Sequence, residues 1–189
     1  ETSVRDKLMR FFYAMDGPNW KNKTGWGTDA PVWQWEGVGN PDPETGLMSL
    51  YFRNNGLKGE IPDFIDEMNL WRFVIDEPGI TGTLPASFGN LVNLESLEIS
   101  NTAMTSLPDI FGKMKKLRNV IIFSNRDMTG PLPESLGASD ELVTLGIDWN
   151  GFTGTPPDSW ARHYDFLSLW SNKLSGEIPL SFRTGPHAG

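Results

Sequence analysis

Apolar residues recur along most of the chain in blocks that begin 22 to 25 residues apart. Each block starts with the pattern L-x-x-L-x-L or a close variant, in which apolar residues alternate with other residues. Alternation with a period of two predicts a short strand that buries one of its faces. The regular spacing predicts that these strands belong to equivalent units. The six blocks begin at Leu47, Leu70, Leu94, Leu117, Leu142 and, less regularly, Tyr164.

A turn signature follows each predicted strand. The sequence Gly-x-x-Pro closes five of the six blocks, for example from Gly59 to Pro62, and the third block ends instead at Pro108. A repeat of this length and consensus is typical of leucine-rich repeats, whose coils bury a shared core only when they are stacked. We therefore predict an α/β fold, a leucine-rich-repeat solenoid that coils in a curved right-handed path. Its concave face is expected to be a parallel sheet of about six strands.

Asparagine stands where four of the strands end. A buried amide both donates and accepts hydrogen bonds, so we expect these residues to satisfy backbone groups of adjacent coils. Pro78 and Thr102 replace Asn in the second and third blocks, and we expect a different turn near residues 76–78. The fourth block has one more residue, at Arg126-Asp127, where we expect a small bulge. The asparagines are Asn55, Asn125, Asn150 and Asn172.

Residues 1–46 do not follow the repeat. Apolar residues from Val4 to Met15 are spaced for one face of a helix, Ser3 and Asp6 form an approximate capping box, and Gly17-Pro18 ends the pattern. We expect this helix and a tryptophan cluster to form an N-terminal cap; the alternative is an aromatic sugar-binding site. The predicted organisation is a cap (1–46), six repeats (47–182) and a short tail (183–189). The four tryptophans are Trp20, Trp26, Trp33 and Trp35.

The cap sequence carries a family resemblance. The segments Asp16-Gly-Pro-Asn-Trp20, Gly25-Trp26 and Trp35-Glu-Gly-Val38, together with the Gly-x-Ile-Pro turns, resemble plant-type leucine-rich-repeat proteins. That group includes receptor-kinase ectodomains, polygalacturonase inhibitors, and bacterial and protist relatives. The plant cap has a cysteine pair where this chain has Trp33 and Asn40. The resemblance therefore implies an extracellular or cell-surface protein, with a bacterial member favoured over a plant apoplastic one.

Composition narrows the possible chemistry. The 189 residues include no cysteine, which excludes disulfides, thiolate metal sites and thiol catalysis. Sixteen basic and 24 acidic residues give a net charge of −8, which argues against nucleic-acid binding. The two histidines, His163 and His187, offer little for imidazole chemistry, and we expect no metal or cofactor. No apolar run is long enough to insert directly into a membrane, and one glycosylation sequon is present at Asn22.

The two ends of the chain raise separate expectations. The chain starts at Glu1, so we expect that an N-terminal piece, such as a secretory leader, has been removed. At the other end, a last coil without a cap would expose core residues such as Leu174 and Ile178. The tail, a partner or a second copy would cover them, or the natural chain continues.

The candidate binding face is the set of outward positions on the predicted strands. Its C-terminal half is rich in aromatic residues around Asp148, and Gly146 leaves a gap there for a ligand. Its N-terminal half is expected to be acidic (Asp76, Glu77, Glu95, Glu98) beside Arg53 and Arg72, with Arg53–Asp76 and Glu95–Arg118 as ordinary cross-strand pairs. The candidate ligand-binding residues are Arg53, Asp76, Glu98, Ile121, Phe123, Asp148, Trp149, Phe166 and Trp170.

No enzymatic signature is present. The sequence has no nucleophile elbow, zinc-protease, P-loop or dinucleotide motif. Asp76 and Glu98 approach the spacing of a glycosidase pair, but an open sheet neither excludes water nor raises a carboxyl pKa. We therefore predict a non-catalytic module that binds a protein or an extended peptide on the concave face. The alternatives are a carbohydrate-binding surface protein and a structural spacer without a ligand.

Overall fold

A computed structural model describes residues 2–162 and 164–184 of the chain. His163, His187 and tail residues 185–189 lie outside the described residues. Two α-helices, α1 (Val4–Ala14) and α2 (Leu180–Thr184), stand at the ends of the described chain. Neither of these described helices has the length and apolar character needed to cross a membrane.

Between the helices, the described residues form twelve short strands, two in each coil. The first strand of each coil belongs to a large sheet, and the second to one of two smaller sheets. In chain order the strands are β1 (Met48–Arg53), β2 (Lys58–Gly59), β3 (Leu70–Asp76), β4 (Gly79–Gly82), β5 (Ser96–Ser100), β6 (Ala103–Met104), β7 (Asn119–Phe123), β8 (Thr129–Pro131), β9 (Thr144–Asp148), β10 (Gly151–Gly154), β11 (Phe166–Ser168) and β12 (Lys173–Leu174).

Short 3-10 segments line the side of the coil opposite the large sheet. A proline precedes most of them, which fits its lack of a backbone donor at a position that needs none. These segments, together with two in the cap, are Gly17–Asn19, Val32–Gln34, Asp63–Glu67, Ala86–Asn90, Phe111–Lys113, Glu134–Ala138 and Asp158–Trp160.

The large sheet has six parallel strands in the order β1-β3-β5-β7-β9-β11. Each inner strand pairs with the strand of the coil before it and of the coil after it, which is the topology of a leucine-rich-repeat solenoid. The predicted fold class is therefore confirmed. The division of the chain into a cap, six repeats and a tail stays a prediction.

One irregularity interrupts the register between β1 and β3. Met48 pairs with Leu70 and Ser49 pairs with Arg72, so Trp71 is an extra residue in β3. This β-bulge re-aims the local side chains, and the ring of Trp71 stays partly exposed.

The N-terminal helix forms as expected. Ser3 and Asp6 make a complete capping box, and Leu8, Phe11 and Phe12 are buried. Trp20, Trp26 and Trp35 are also buried, and Trp20 and Trp26 pack near Phe52 of β1. Three of the four cap tryptophans therefore fill the core over the first coil, which removes them from any sugar-binding surface. Only the ring of Trp33 is exposed among the four.

The asparagines at the strand ends connect successive coils, as expected. Asn125 is fully buried, and its side-chain oxygen accepts from the amide and hydroxyl of Thr102. Its side-chain nitrogen donates to the carbonyl of Ile99. Asn150 repeats the arrangement one coil later, where it accepts from the amide of Asn125 and donates to the carbonyl of Ile122.

The second coil has a different turn, as expected, but the predicted exposure of Glu77 is wrong. Its side chain is fully buried, and its carboxylate accepts from the backbone amides of Asn55 and Gly56. Glu77 thus supplies, from one residue earlier, the acceptor that Asn supplies in other coils, and Pro78 beside it is exposed. In the fourth coil, a turn at residues 126–127 accommodates the extra residue.

The last coil leaves part of its apolar surface open. Leu167, Ile178 and Leu180 are exposed, whereas Leu174 and Phe182 are partly buried against the core. The backbone of residues 183–184 completes α2.

Candidate functional site

The outward side chains of the large sheet form three rows that cross the six strands. The first row contains Ser49, Arg72, Ser96, Asn119, Thr144 and Phe166, which are paired in register. The second contains Tyr51, Val74, Glu98, Ile121, Gly146 and Ser168. The third contains Arg53, Asp76, Ser100, Phe123 and Asp148, and Trp170, which follows the last strand, lies beside Asp148.

Five apolar residues at the C-terminal end of these rows form what we call the aromatic surface. Strands β7, β9 and β11 and the turns after them bring these residues together. The ring of Trp170 is 70% exposed, and it meets Trp149 edge-to-face with 5.8 Å between centroids. The members of the aromatic surface are Ile121, Phe123, Trp149, Phe166 and Trp170.

Trp149 has an unusual backbone. Its φ of 58° lies in the left-handed region. In four other coils the residue at the equivalent position, in the turn after the sheet strand, also has a positive φ, and there it is Asn or Ser. Asn tolerates this conformation, whereas a bulky residue adopts it rarely and at a cost. The turn nevertheless holds the Trp149 ring 52% exposed. The four equivalent residues are Asn54, Asn101, Ser124 and Ser171.

Asp148 anchors the turn that carries the aromatic pair. Its Oδ1 accepts from the hydroxyl of Ser168 and the amide of Trp170, both at 2.6 Å. The amide of Trp149 donates to the carbonyl of Trp170 at 3.0 Å. The carboxylate therefore fixes the backbone beneath the rings.

Gly146 does not leave the gap that the sequence predicts. Its position is buried, and a Cβ there would lie 3.0 Å from Cδ1 of Ile121 and 3.2 Å from the Phe166 ring. The two side chains lean over the glycine from the neighbouring strands. The small residue thus lets Ile121 and Phe166 close the surface instead of opening a cleft.

The N-terminal half of the face carries the candidate charged residues, and neither of the two predicted cross-strand ion pairs forms. Arg53 lies beside Asp76 in the register, but its ion pair is with Glu98, at 2.6 Å. Asp76 instead accepts from the side-chain amide of Asn101, at 2.8 Å. Long side chains reach past one strand here, which the cross-strand rule does not anticipate.

The predicted pair of Glu95 and Arg118 is also wrong. The guanidinium of Arg118 pairs with Glu141 at 3.6 Å, and only its backbone amide contacts Glu95, through the carbonyl oxygen. The guanidinium groups of Arg53 and Arg72 lie 5.2 Å and 5.5 Å from the ring centroid of Tyr51. The acidic zone is therefore partly neutralised, and Glu77 is not part of it.

Sequence reasoning missed one feature, an open pocket of about 450 Å³ at the edge where the strands of the large sheet begin. Trp71 and Glu95 form one side of it, and loop 40–47 forms the other. The sequence gives only a weak indication of the bulge at Trp71. In the first block either Leu47 or Met48 could be the first buried residue of the strand, and the structure buries Met48, which pairs with Leu70. The first strand is therefore one residue shorter than its partner at this point, and Trp71 is the extra residue.

The two carboxylates of the candidate glycosidase pair are both engaged by other side chains. Glu98 is held by Arg53 and Asp76 by Asn101, so neither carboxylate of the candidate glycosidase pair is poised in an enclosed site. Within the part of the chain that the structure describes, no three His, Cys, Asp or Glu side chains form a group that could hold a metal ion.

Comparisons with known proteins agree with the fold. The Leucine Rich Repeat family model matches residues 46–68. Pollen receptor-like kinase 2 of Arabidopsis thaliana is 34% identical over 140 residues, which are 73% of this chain. The chain spans only 18% of that relative's length.

Two solved plant structures resemble the chain in shape. The ectodomain of the Arabidopsis thaliana receptor kinase GASSHO1/SCHENGEN3, in complex with CASPARIAN STRIP INTEGRITY FACTOR 2, superposes with a TM-score of 0.83 at 23% identity, covering 95% of this chain and 22% of that one. The ectodomain of the Arabidopsis receptor kinase HAESA, in complex with an IDA peptide hormone ligand, superposes with a TM-score of 0.63 at 28% identity, covering 71% and 23%. Nothing in these likenesses tests the predicted bacterial origin.

Proposed function

We propose that this leucine-rich-repeat protein, which has plant receptors among its relatives, is a non-catalytic recognition module for an extended peptide or a segment of a protein. The ligand lies on the concave face, with the aromatic surface as its main anchor. Arg53, Asp76 and Glu98 form the polar end of the same face. The chain belongs outside the cell or at its surface, and the bacterial origin remains part of the proposal.

The exposed ring of Trp149 carries this proposal. Backbone strain at a bulky residue persists where the surrounding structure over-determines it, and such strain clusters at functional sites. Asp148 and the strand register hold this turn in place. The chain therefore presents a large apolar ring to solvent at a position where Asn or Ser serves in four other coils.

Rigidity gives the aromatic surface its binding value. Tryptophan and phenylalanine supply much contact area with few rotatable bonds, so little entropy is lost on binding. The parallel sheet beneath them fixes their spacing at roughly 4.8 Å per strand. A ligand that meets this surface finds it pre-organised, which lowers the entropic cost of association.

The HAESA ectodomain supports a peptide as the ligand class, because that protein carries a peptide hormone on the same kind of scaffold. The fold alone does not select the ligand. What favours a peptide here is the length of the face: six strands span about 25 Å, with charged side chains toward one end and apolar ones toward the other.

Selection from a displayed random-peptide library on the full chain tests the proposal. The enriched peptides are expected to contain aromatic or aliphatic residues. The variant Trp149→Ala/Trp170→Ala should weaken their binding about 100-fold or more, since each ring is expected to act as a hot spot. Trp33→Ala is the matched control, because it removes an exposed tryptophan from the cap.

Two other outcomes would overturn the proposal. Glycan binding that disappears in the double variant, without any peptide enrichment, would assign the aromatic surface to carbohydrate. Failure to enrich any peptide or bind any glycan would leave the chain a structural spacer.

A further inference from the structure

We infer that the open pocket at the N-terminal edge of the large sheet binds a basic side chain, lysine or arginine, of the same peptide ligand. The inference rests on the proposed function and adds a charge requirement to it. It concerns residues that lie outside the aromatic surface: Trp71 and Glu95 on one side of the pocket, and Asn40 and Asp42 on the other.

Trp71 supplies an aromatic face. The bulge adds this residue to β3 and leaves its side chain 37% exposed at the pocket. The ring of a tryptophan attracts a cation more strongly than that of any other side chain.

Glu95 supplies a half-buried carboxylate that the fold leaves without a partner. Among the residues that the structure describes, no side chain forms a hydrogen bond or an ion pair with it. Two basic residues that follow Glu95 in the chain bind elsewhere, since Arg118 pairs with Glu141 and Lys116 donates to the side-chain oxygen of Asn93. The carboxylate is therefore available to a ligand.

Asp42 adds a second negative charge across the pocket. The hydroxyl and amide of Thr45 donate to its carboxylate. The hydroxyl, foremost, and the amide lower the pKa of Asp42 below its ordinary value of 3.8, so the group stays ionised at neutral pH. Among the described residues, no basic one lines the pocket, and Arg72, next to Trp71, lies over the Tyr51 ring instead.

This composition favours a cation over a sugar. Its two carboxylates carry negative charge and accept hydrogen bonds, and the Thr45 hydroxyl is already engaged with Asp42. An aromatic face with two carboxylates suits an ammonium or guanidinium group, which gains charge-assisted hydrogen bonds and a cation–π contact.

The register fixes where the basic residue sits in the ligand. Glu95 leads into β5 and Trp71 lies in β3, so three or four strand spacings separate the pocket from Phe166 of β11. That distance is about 14–19 Å, which an extended peptide covers in about four to six residues. The first row between them is polar, with Ser96, Asn119 and Thr144 able to bind the peptide backbone.

The sequences of the enriched peptides give the first test. Peptides selected on the full chain should carry Lys or Arg about four to six positions from an aromatic or aliphatic residue. Enrichment of apolar residues without a basic one would overturn this inference and leave the proposed function standing. Absence of any enrichment would overturn the proposed function itself.

A charge-matched pair of variants gives the second test. Glu95→Gln should raise the Kd of a selected synthetic peptide about tenfold, whereas Glu60→Gln, which removes an exposed carboxylate elsewhere, should not change it. Replacing the basic residue of the peptide by norleucine should weaken binding to the parent chain but have little further effect on Glu95→Gln. Equal Kd values for the two variants, or glycan binding that depends on Trp71, would overturn the inference.

Discussion

Glu77 holds the backbone amide of Asn55 through a buried carboxylate oxygen that lies 2.5 Å from the nitrogen. The other oxygen accepts from the amide of Gly56 at 3.0 Å. One acidic side chain thereby satisfies two donors at the end of the first strand. Its role is structural, although the sequence places it among the acidic residues of the binding face.

Replacement of Glu77 tests this role. Glu77→Ala leaves two amides without their acceptor, and an unsatisfied buried donor costs about 1–3 kcal/mol. We expect the free energy of unfolding to fall by about 3 kcal/mol, as measured by urea denaturation. Glu60→Ala, at an exposed position, should change it by less than about 0.5 kcal/mol. Equal effects of the two variants would contradict the assignment.

The positive φ of Trp149 leads to a second prediction, about the stability of variants at this position. Trp149→Gly and Trp149→Ala both remove the ring, but only glycine adopts this conformation without cost. The glycine variant should therefore be more stable than the alanine variant by about 1 kcal/mol. An alanine variant as stable as the glycine variant would show that the turn is unstrained.

The asparagines at the strand ends should differ in their contribution to the free energy of unfolding. Asn125 makes hydrogen bonds to Thr102, Ile99 and Asn150 in the middle of the solenoid, so Asn125→Ala should cost about 3 kcal/mol. Asn172 is half-exposed in the last coil, where water can replace its bonds to Ile147 and Leu169. Asn172→Ala should cost about 1 kcal/mol. Denaturation that gave the opposite order would be inconsistent with stacking through these amides.

The sequence is sufficient to predict the coil period, the six sheet strands and the Asn positions, because each depends on spacing along the chain. The burial of Glu77 could not be predicted, because it depends on a local turn that Pro78 alters. The ion pair of Arg53 with Glu98 could not be predicted, because a long side chain can reach either of two strands. The bulge at Trp71 could not be predicted, because it depends on pairing with another coil, which the repeat period does not reveal.

Some features of the candidate binding residues follow from the repeat, and others do not. The register brings Phe123, Asp148 and Trp170 together as the repeat implies, since equivalent positions stack. The strained φ of Trp149 and the closure of Ile121 and Phe166 over Gly146 appear only in three dimensions. Whether these residues bind a ligand stays a prediction.

Tyr164 should make the stability of the fold depend on pH in the alkaline range. Burial raises its pKa from 10.0 to about 12, against the opposing charge of Arg162, and its hydroxyl donates to the carbonyl of Trp160. The unfolded chain gives up this proton at lower pH than the folded chain does. The stability from this group is thus present below pH 10.0 and is lost as pH rises toward about 12.

Two measurements check this. Tyrosinate absorbance should show a titration step near pH 12 that Tyr164→Phe lacks. Denaturation should show a smaller loss of stability above pH 10.0 in Tyr164→Phe than in the parent chain. A variant with an unchanged titration curve would rule out the shifted group.

The indole N–H signals of the eight tryptophans give the most direct test of the aromatic surface as a binding site. Four indoles donate to internal carbonyls and serve as internal controls: Trp20, Trp26, Trp35 and Trp160. When a selected peptide is titrated into the ¹⁵N-labelled chain, the signals of Trp149 and Trp170 should shift with a common Kd while those of Trp33 and the four buried indoles stay in place. A bound peptide that leaves Trp149 and Trp170 unshifted would contradict the account.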